Sequence, residues 1–128
     1  MIASWIAETV RAFGRSLGLK DFALNERGAA GVRFENGRGL YLEGGDAGLM
    51  VSVGVPSDPS AETMKRLLAR AHYAARTDSL RVRAVWVEKA GEARFVTRVD
   101  ARDLTATSLE QAFRALWQEA EVFGRAAS

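Results

Sequence analysis

Residues 30–55 contain three short runs in which apolar and polar residues alternate, separated by glycine-rich turns. A period of two is typical of β-strands, and the turns at Asn36-Gly37 and Gly44-Gly45-Asp46 are of the kind that joins antiparallel neighbours. The pattern therefore predicts a three-stranded meander. We expect the rest of the chain to cover its apolar face.

The first turn of the meander allows two registers. A two-residue loop at Asn36-Gly37 puts Leu40 on the opposite face from Val32 and Phe34, because side chains alternate strictly along a strand. A three-residue loop over 36–38 instead pairs Phe34 with Leu40 and Val32 with Leu42, which creates one apolar face. Gly37 easily adopts the positive φ that such a loop needs. We therefore predict the three-residue loop.

Residues 2–17 have the three-to-four spacing of apolar residues that is typical of an amphipathic helix. Gly18 is expected to end this helix in a left-handed conformation, with Leu19 folding back on Phe13. Gly14 weakens the prediction, because an interior glycine costs about 1 kcal/mol relative to alanine. The apolar face consists of Ile2, Trp5, Ile6, Val10, Phe13 and Leu17.

A second helix is predicted after the only two prolines, Pro56 and Pro59, and extends to about Thr77. Asp58 is expected to cap it, since Pro59 then lies in the first turn, where its missing N–H has no cost. The lone His72 is expected to be structural or solvent-facing. The apolar face consists of Met64, Leu67, Leu68, Ala71, Ala74 and Ala75, and it covers either the chain's own sheet or a second subunit.

Residues 80–100 predict a hairpin with a two-residue loop at Ala90-Gly91. In this register Trp86 lies opposite Phe95, and Arg83 lies opposite Arg98. Two like charges in this position repel each other. We therefore expect an anionic group nearby: a glutamate of a neighbouring strand (Glu35 or Glu43), an acidic partner or phosphate.

The last helix is predicted from Ser108 to about Phe123, and Ser108 and Gln111 have the spacing of a capping box. Trp117 lies at the edge of its apolar face and is expected to be half exposed. Taken together, the elements predict an α+β fold. Helices pack on one twisted antiparallel sheet made of the meander and the hairpin.

Composition narrows the possible functions. The chain has 128 residues, a formal charge of +2 and 48% apolar residues, which predicts a single domain over residues 1–128 with a real core. Of its 18 basic residues only Lys20, Lys65 and Lys89 are lysines, so 15 are arginines. No apolar run is long enough to span a bilayer and no basic secretory signal opens the chain, so we expect a cytoplasmic protein.

Candidate chemistry is scarce in this sequence. Without cysteines and with one histidine, the chain offers no disulfide, thiolate or multi-histidine metal site. The glycines do not form a nucleotide-binding loop, and the serines lack a nucleophile-elbow motif. We therefore expect neither catalysis nor a cofactor.

The order of helix, meander, helix, hairpin and helix resembles the class I chaperones of bacterial type III secretion systems, over nearly the whole chain. The resemblance rests on Leu17-Gly18-Leu19, Leu24 with Gly28, Val32 with Phe34, Leu40-x-Leu42, Leu49-x-Val51, the apolar face of the second helix, and Phe113, Trp117 and Glu121. It implies a small cytoplasmic dimer, without enzymatic activity, that keeps the N-terminal segment of a secreted protein extended and secretion-competent. Members of that family are commonly acidic, whereas this chain is mildly basic.

The first helix and the meander carry more apolar surface than one short helix can cover. We therefore predict a shallow groove between them, beside an open strand edge, that receives apolar side chains of the cargo. Arg33 and Arg38 at its rim favour cargo with nearby carboxylates. The predicted cargo-binding residues are Trp5, Ile6, Phe13, Val32, Arg33, Phe34, Leu40 and Leu42. The predicted dimer interface consists of Met64, Leu67, Leu68, Ala71 and Ala75.

Four alternatives remain at this point. Trp5 and Phe13 are also consistent with plain core positions. The chain is also consistent with a chaperone subunit that acts only as a heterodimer with a second small chaperone, or with a structural partner without a secretion role. A nucleic-acid-binding module could be built on Arg81, Arg83, Arg94 and Arg98. That module lacks the interleaved exposed aromatic residues that stack on bases.

Overall fold

The structure, a computed structural model, describes residues 2–74 and 81–125, with the backbone alone for residues 70–74 and 125. Within these ranges the helices are α1 (Ser4–Ser16), α2 (Ala61–Ala74) and α3 (Ala106–Arg125), and the strands are β1 (Ala29–Arg33), β2 (Gly39–Gly45), β3 (Gly48–Pro56), β4 (Arg83–Val87) and β5 (Glu92–Asp100). The strands form one antiparallel sheet in the order β1-β2-β3-β5-β4. The predicted α+β fold is confirmed.

The core lies between the helices and one face of the sheet. Alternate residues of the central strands point to this face and are fully buried, as period-two alternation predicts. Helix α3 packs across β3 and β5, with α1 and α2 as neighbours. The buried side chains include Ile6, Val10 and Phe13 of α1, Leu40 and Leu42 of β2, Leu49, Val51 and Val53 of β3, Phe95 of β5, and Leu109, Leu116 and Phe123 of α3.

The register between β1 and β2 differs from the predicted one. Val32 pairs with Leu40, not with Leu42, and the loop residues are 35–37 instead of 36–38. The loop length and the positive φ of Gly37 (89°) agree with the prediction. Because the shift is two residues, Val32 and Leu40 still face the same side of the sheet.

The register between β4 and β5 is also shifted by two residues. Trp86 pairs with Ala93, and Arg83 lies opposite Val96, so the predicted pairing of Arg83 with Arg98 is wrong. The predicted two-residue loop is replaced by a 3₁₀ turn over Glu88–Ala90, followed by a left-handed glycine. The longer loop moves the pairing partner of every β4 residue.

Helix α1 ends as the sequence predicts, with Gly18 in a left-handed conformation. Gly18 has a φ of 76°; its N–H donates to the carbonyl of Arg15 at 3.0 Å, and the N–H of Leu19 donates to that of Gly14 at 2.9 Å. These two bonds form a Schellman motif. They fix the direction in which the chain leaves the helix, and Leu19 packs against the core.

Helix α2 has a different cap from the predicted one. Ser60 is the N-cap, because its hydroxyl accepts the N–H of Thr63 at 3.1 Å and its carbonyl accepts that of Met64 at 3.0 Å. The predicted cap, Asp58, instead accepts hydrogen bonds from the N–H of Ser60 and the hydroxyl of Thr63. Hydrogen bonds from Ser60 and Thr63 hold the pKa of the Asp58 carboxyl below its usual value.

Helix α3, in contrast, begins before the predicted position. Thr105 and Ser108 form a reciprocal pair: the hydroxyl of Thr105 accepts the N–H of Ser108, and the hydroxyl of Ser108 accepts the N–H of Thr105, both at 2.9 Å. This is the geometry of a capping box, with serine in the usual place of glutamate. The predicted box of Ser108 and Gln111 lies one turn too late.

Several predictions fall outside what the structure describes. They concern the side chains of Ala71 and His72, the residue Ala75, the end of the second helix at Thr77 and the last three residues of the chain.

Candidate functional site

An apolar pocket of about 430 Å³ opens where the end of α1, the β1–β2 turn and α3 meet. Its walls are Leu17, Phe34, Phe113 and Trp117, with Arg114 and Gln118 at the rim. Phe34, Phe113 and Trp117 are partly buried, whereas Arg114 and Gln118 are exposed. The pocket therefore presents aromatic surface to solvent through a polar rim.

The three aromatic rings pack against one another. The ring centroids of Phe34 and Trp117 are 5.4 Å apart, those of Phe113 and Trp117 are 5.5 Å apart, and those of Phe34 and Phe113 are 6.2 Å apart. Phe113 also contacts the core through Phe13, with centroids 6.3 Å apart. Because Phe113 and Trp117 are four residues apart on α3, they lie on the same side of the helix. The core thus anchors the inner wall of the pocket.

Arg38 holds Trp117 from the other side. Its guanidinium lies 5.0 Å from the centre of the indole ring and donates a hydrogen bond to the carboxylate of Glu121. Only 14% of the Arg38 side chain is exposed. The predicted role of Arg38 as a rim cation is therefore corrected, since its charge is already paired and stacked.

The pocket lies beside an open edge of the sheet. Strand β1 pairs with β2 on one side, and no strand among the described residues pairs with its other side. The N–H of Phe34 donates to the carbonyl of Arg38 across this pair. Since antiparallel hydrogen bonding alternates, the backbone groups of Gly31 and Arg33 face the open edge. An extended segment could add here as a sixth strand.

The structure brings together only part of the predicted cargo-binding set. Phe34 lines the pocket, and Val32 lies next to it on β1, partly buried. Arg33 is exposed on the opposite face of the sheet, 3.6 Å from the carboxylate of Glu92. Trp5 is 48% exposed on α1 but does not line the pocket.

The other four residues of that set belong to the core. Ile6, Phe13 and Leu40 have no exposed surface, and Leu42 has 1%. All four belong to the core cluster, and Phe113 of α3 packs against Phe13 and Phe34 on the side where the sequence predicted an open groove. Their predicted direct role in cargo binding is therefore corrected to a structural one.

Sequence reasoning missed five of the pocket residues as site residues: Leu17, Phe113, Arg114, Trp117 and Gln118. One signal was present, since an aromatic pair at the i, i+4 spacing that lies at the edge of an apolar stripe is half exposed by geometry. Trp117 is indeed partly buried, as predicted. What the spacing alone did not show is that α3 meets the β1–β2 turn at this point.

The residues of the predicted dimer interface have unequal exposure. Leu67 is buried in the core of its own chain with 5% exposure, whereas Leu68 is 72% exposed. Met64 is partly buried. Of the described members, Leu68 is thus the one with a large free apolar surface.

Within residues 2–74 and 81–125, no group of three or more histidine, cysteine, aspartate or glutamate side chains could hold a metal ion. In the same part of the chain, no helix is long and apolar enough to cross a membrane.

Comparison with known proteins identifies one family. The model of the type III secretory system chaperone SycN family matches residues 5–123. No curated protein matches the sequence.

Solved structures of similar fold include three protein complexes. A chain of the ExsC-ExsE complex superposes with a TM-score of 0.80 at 21% identity, covering 98% of this chain and 96% of that one. A chain of the HopA1-SchA chaperone-effector complex has a TM-score of 0.73 at 15% identity, with coverages of 96% and 98%. The Yersinia pestis type III secretion chaperone SycH, solved with a stable fragment of YscM2, has a TM-score of 0.66 at 15% identity, with coverages of 92% and 98%.

Proposed function

This chain belongs to the type III secretory system chaperone SycN family, and on that premise we propose that it binds the N-terminal segment of a secreted effector. The bound segment stays extended and non-globular, which keeps it competent for secretion. The protein acts in the cytoplasm by non-covalent binding and catalyses no reaction. Two of the similar structures support this proposal, since each contains a chaperone with an effector or a protein fragment.

The observation that carries the proposal is the position of the aromatic pocket beside the open edge of β1. Strand addition at Gly31 and Arg33 supplies main-chain hydrogen bonds, and alternate side chains of the added strand then point towards the helix side of the sheet. Val32 of β1 and Phe34, which directly follows β1, point to that side as well. A strand added here can therefore direct an apolar side chain into the pocket.

The size and polarity of the pocket fit such an anchor. Its volume of about 430 Å³ lies within the range of about 300–1,000 Å³ that is usual for binding pockets. Each apolar side chain that becomes fully buried contributes roughly 1.5–3 kcal/mol. Several backbone hydrogen bonds and one or two anchors together can offset the entropy lost when a flexible segment is ordered.

Arg114 is the exposed cation at the rim, and Arg33 lies on β1 itself. Both favour a segment with carboxylates next to its apolar anchor. Charges at a rim accelerate association more than they tighten binding.

The proposal is tested by calorimetry with the N-terminal segment of a type III effector. We expect Phe34→Asp and Trp117→Ala each to weaken binding by about tenfold or more, because both remove aromatic wall from the pocket. The control is Val122→Ala, which shortens an exposed apolar side chain on α3 that does not line the pocket. All variants are first compared with the wild type by thermal melting.

The same experiment separates the pocket from the face of α1. If Trp5→Ala weakens binding and the folded pocket variants do not, the cargo lies along α1 and the pocket proposal is wrong. If none of the variants changes the affinity, cargo binds elsewhere on the protein.

A further inference from the structure

A second groove lies on the face of the sheet opposite the helices. It has a volume of about 620 Å³ and runs along β4 and β5. Met50 and Val96 form an apolar floor, and Arg81, Arg83 and Arg98 form the walls. The aromatic pocket lies beside β1, at the other end of the strand order, so the two sites are separate surfaces.

Among the described residues that line this groove, positive charge exceeds negative charge. Asp100 is the one acidic residue of that set, and it accepts a hydrogen bond from Nε of Arg98 at 2.9 Å. Neither Arg81 nor Arg83 has a side-chain hydrogen bond or an ion pair with any residue that the structure describes, and both are exposed. Within the part of the chain that the structure describes, two guanidinium groups therefore have no anionic partner.

Arg94, on the same face of the sheet, is an arginine whose charge is paired within the protein. Its Nε donates to Glu92 at 2.9 Å, and its guanidinium lies 4.1 Å from the ring centre of Tyr41. Arg94 therefore has no free charge for a ligand. The groove differs from this cluster because Arg81 and Arg83 have no such partner among the described residues.

The strand register places the three arginines of the groove close together. Arg83 lies opposite Val96, and Arg98 is two residues further along β5 on the same face. Arg81 precedes Arg83 by two residues, so continuing the same register puts it beside Arg98. Like charges on neighbouring strands repel one another. A bound anion would remove this repulsion.

We propose that this groove binds an acidic, extended segment of a partner protein whose carboxylates are spaced two residues apart. The planar fork of a guanidinium pairs with a carboxylate through two hydrogen bonds. Residues two apart in an extended segment are separated by about 7 Å, and Arg81 likewise lies two residues before Arg83, the first residue of β4. The segment's intervening atoms lie over the apolar floor of Met50 and Val96.

The chemistry of the groove favours a protein segment over a nucleic acid. Nucleic-acid surfaces without sequence preference combine basic residues with aromatic side chains on which bases stack. None of the described residues that line this groove is aromatic. Val85, which follows Arg83 on the same face of β4, is 36% exposed and adds aliphatic surface instead.

The test uses fluorescence anisotropy with synthetic peptides and the full-length protein. The probe is a labelled peptide of alternating aspartate and serine, compared with an alternating asparagine and serine peptide and with a peptide of the same composition whose aspartates are adjacent. We expect the alternating aspartate peptide to bind most tightly. The double variant Arg81→Gln/Arg83→Gln should bind it about tenfold or more weakly, since two charge-assisted contacts are lost.

The control is Arg27→Gln, which removes the same charge from an exposed loop residue outside the groove. It should leave the affinity unchanged, and its melting temperature and that of the double variant should match the wild type. Equal binding of the aspartate and asparagine peptides, or an unchanged affinity of the double variant, overturns the proposal.

Two further results would assign the groove to another partner. If a single-stranded oligonucleotide of equal charge displaces the peptide at a lower concentration, and binds the double variant more weakly, the site recognises phosphates and the proposal is wrong. If the double variant instead changes the sedimenting mass of the protein, the groove is a subunit contact. In either case the proposed function is tested separately, because Phe34→Asp and Trp117→Ala change the aromatic pocket and not this groove.

Discussion

Gly14 destabilises α1 as an isolated helix but allows close packing in the folded chain. In a helix interior glycine costs about 1 kcal/mol relative to alanine, so the sequence marks it as a weak point of α1. In the structure, however, a Cβ at this position would lie 2.8 Å from the Cβ of Phe22, which is closer than carbon atoms approach. Phe22 is buried and packs edge-on against Phe13, with ring centroids 6.2 Å apart. The glycine lets the segment after α1 close over the helix.

We therefore predict that Gly14→Ala lowers the free energy of unfolding, although alanine is the better helix former. The expected loss is about 1–3 kcal/mol, the usual cost of adding an atom to a packed core, and urea unfolding measures it. Gly124→Ala in α3 is the matched control, because its Cβ would meet only the flexible end of Arg38, at 3.2 Å. A gain in stability for Gly14→Ala would show that Phe22 moves away without cost.

Glu92 is a residue whose environment sequence reasoning could not predict. Alternation correctly puts it on the polar face of the sheet, where a glutamate is expected to be solvated, yet its side chain has no exposed surface. The hydroxyl of Tyr41 and Nε of Arg94 both donate hydrogen bonds to its carboxylate. A Cβ on Gly54 would lie 2.7 Å from one of its oxygens, so the missing side chain makes room for the carboxylate. These partners come from three strands, and no local pattern brings them together.

At the scale of elements, periodicity predicted the type and order of every helix and strand that the structure describes. It also predicted which residues of each strand share a face. Both hairpin registers were nevertheless shifted by two residues, because a shift of two preserves the apolar face and alternation cannot detect it. The loop backbone decides the register instead. In the second hairpin, the 3₁₀ turn over Glu88–Ala90 and the positive φ of Gly91 (63°) account for the longer loop.

The cap of α3 provides a test at this scale. The structure makes Thr105 and Ser108 the capping pair, whereas the sequence favoured Ser108 with Gln111. We predict that Thr105→Ala lowers the free energy of unfolding by about 1 kcal/mol, the typical cost of losing an N-cap side chain. Gln111→Ala should change it by less than about 0.5 kcal/mol, as is usual for exposed positions. Denaturant unfolding of both variants measures the difference. If Gln111→Ala is the more destabilising of the two, the Ser108–Gln111 cap predicted from the sequence is the correct one.

At the scale of the whole molecule, the candidate site was predicted only in part because α3 fills the expected groove. The sequence identified surplus apolar surface on α1 and the meander, and Phe34 does line a pocket. It could not show that Phe113 and Trp117, 79 and 83 residues further along the chain, complete that pocket. Contacts at this separation depend on how elements pack and not on local spacing. The open edge of β1 is likewise a property of the strand order.

Helix α2 raises the question of assembly. Leu68 is 72% exposed, and although single exposed leucines are common on protein surfaces, this one belongs to a stripe whose next members in sequence are alanines. Helix α2 also contacts β4, whose outer edge pairs with no strand among the described residues. A second subunit could cover both the exposed leucine and the strand edge. We therefore retain the homodimer as a prediction, centred on Leu68 rather than on the buried Leu67.

Sedimentation equilibrium should give the mass of two subunits for the wild type, and Leu68→Asp should shift the protein towards the monomer. The shift is expected because the aspartate would place an unpaired carboxylate in an apolar contact, where desolvation of a charge is costly. Trp5→Asp is the matched control, since it makes the same kind of change at another exposed apolar residue, on α1. A wild type that stays monomeric at tens of micromolar contradicts the prediction. So does a protein that assembles only with a different small chaperone, because α2 would then be shaped for a partner other than its own copy.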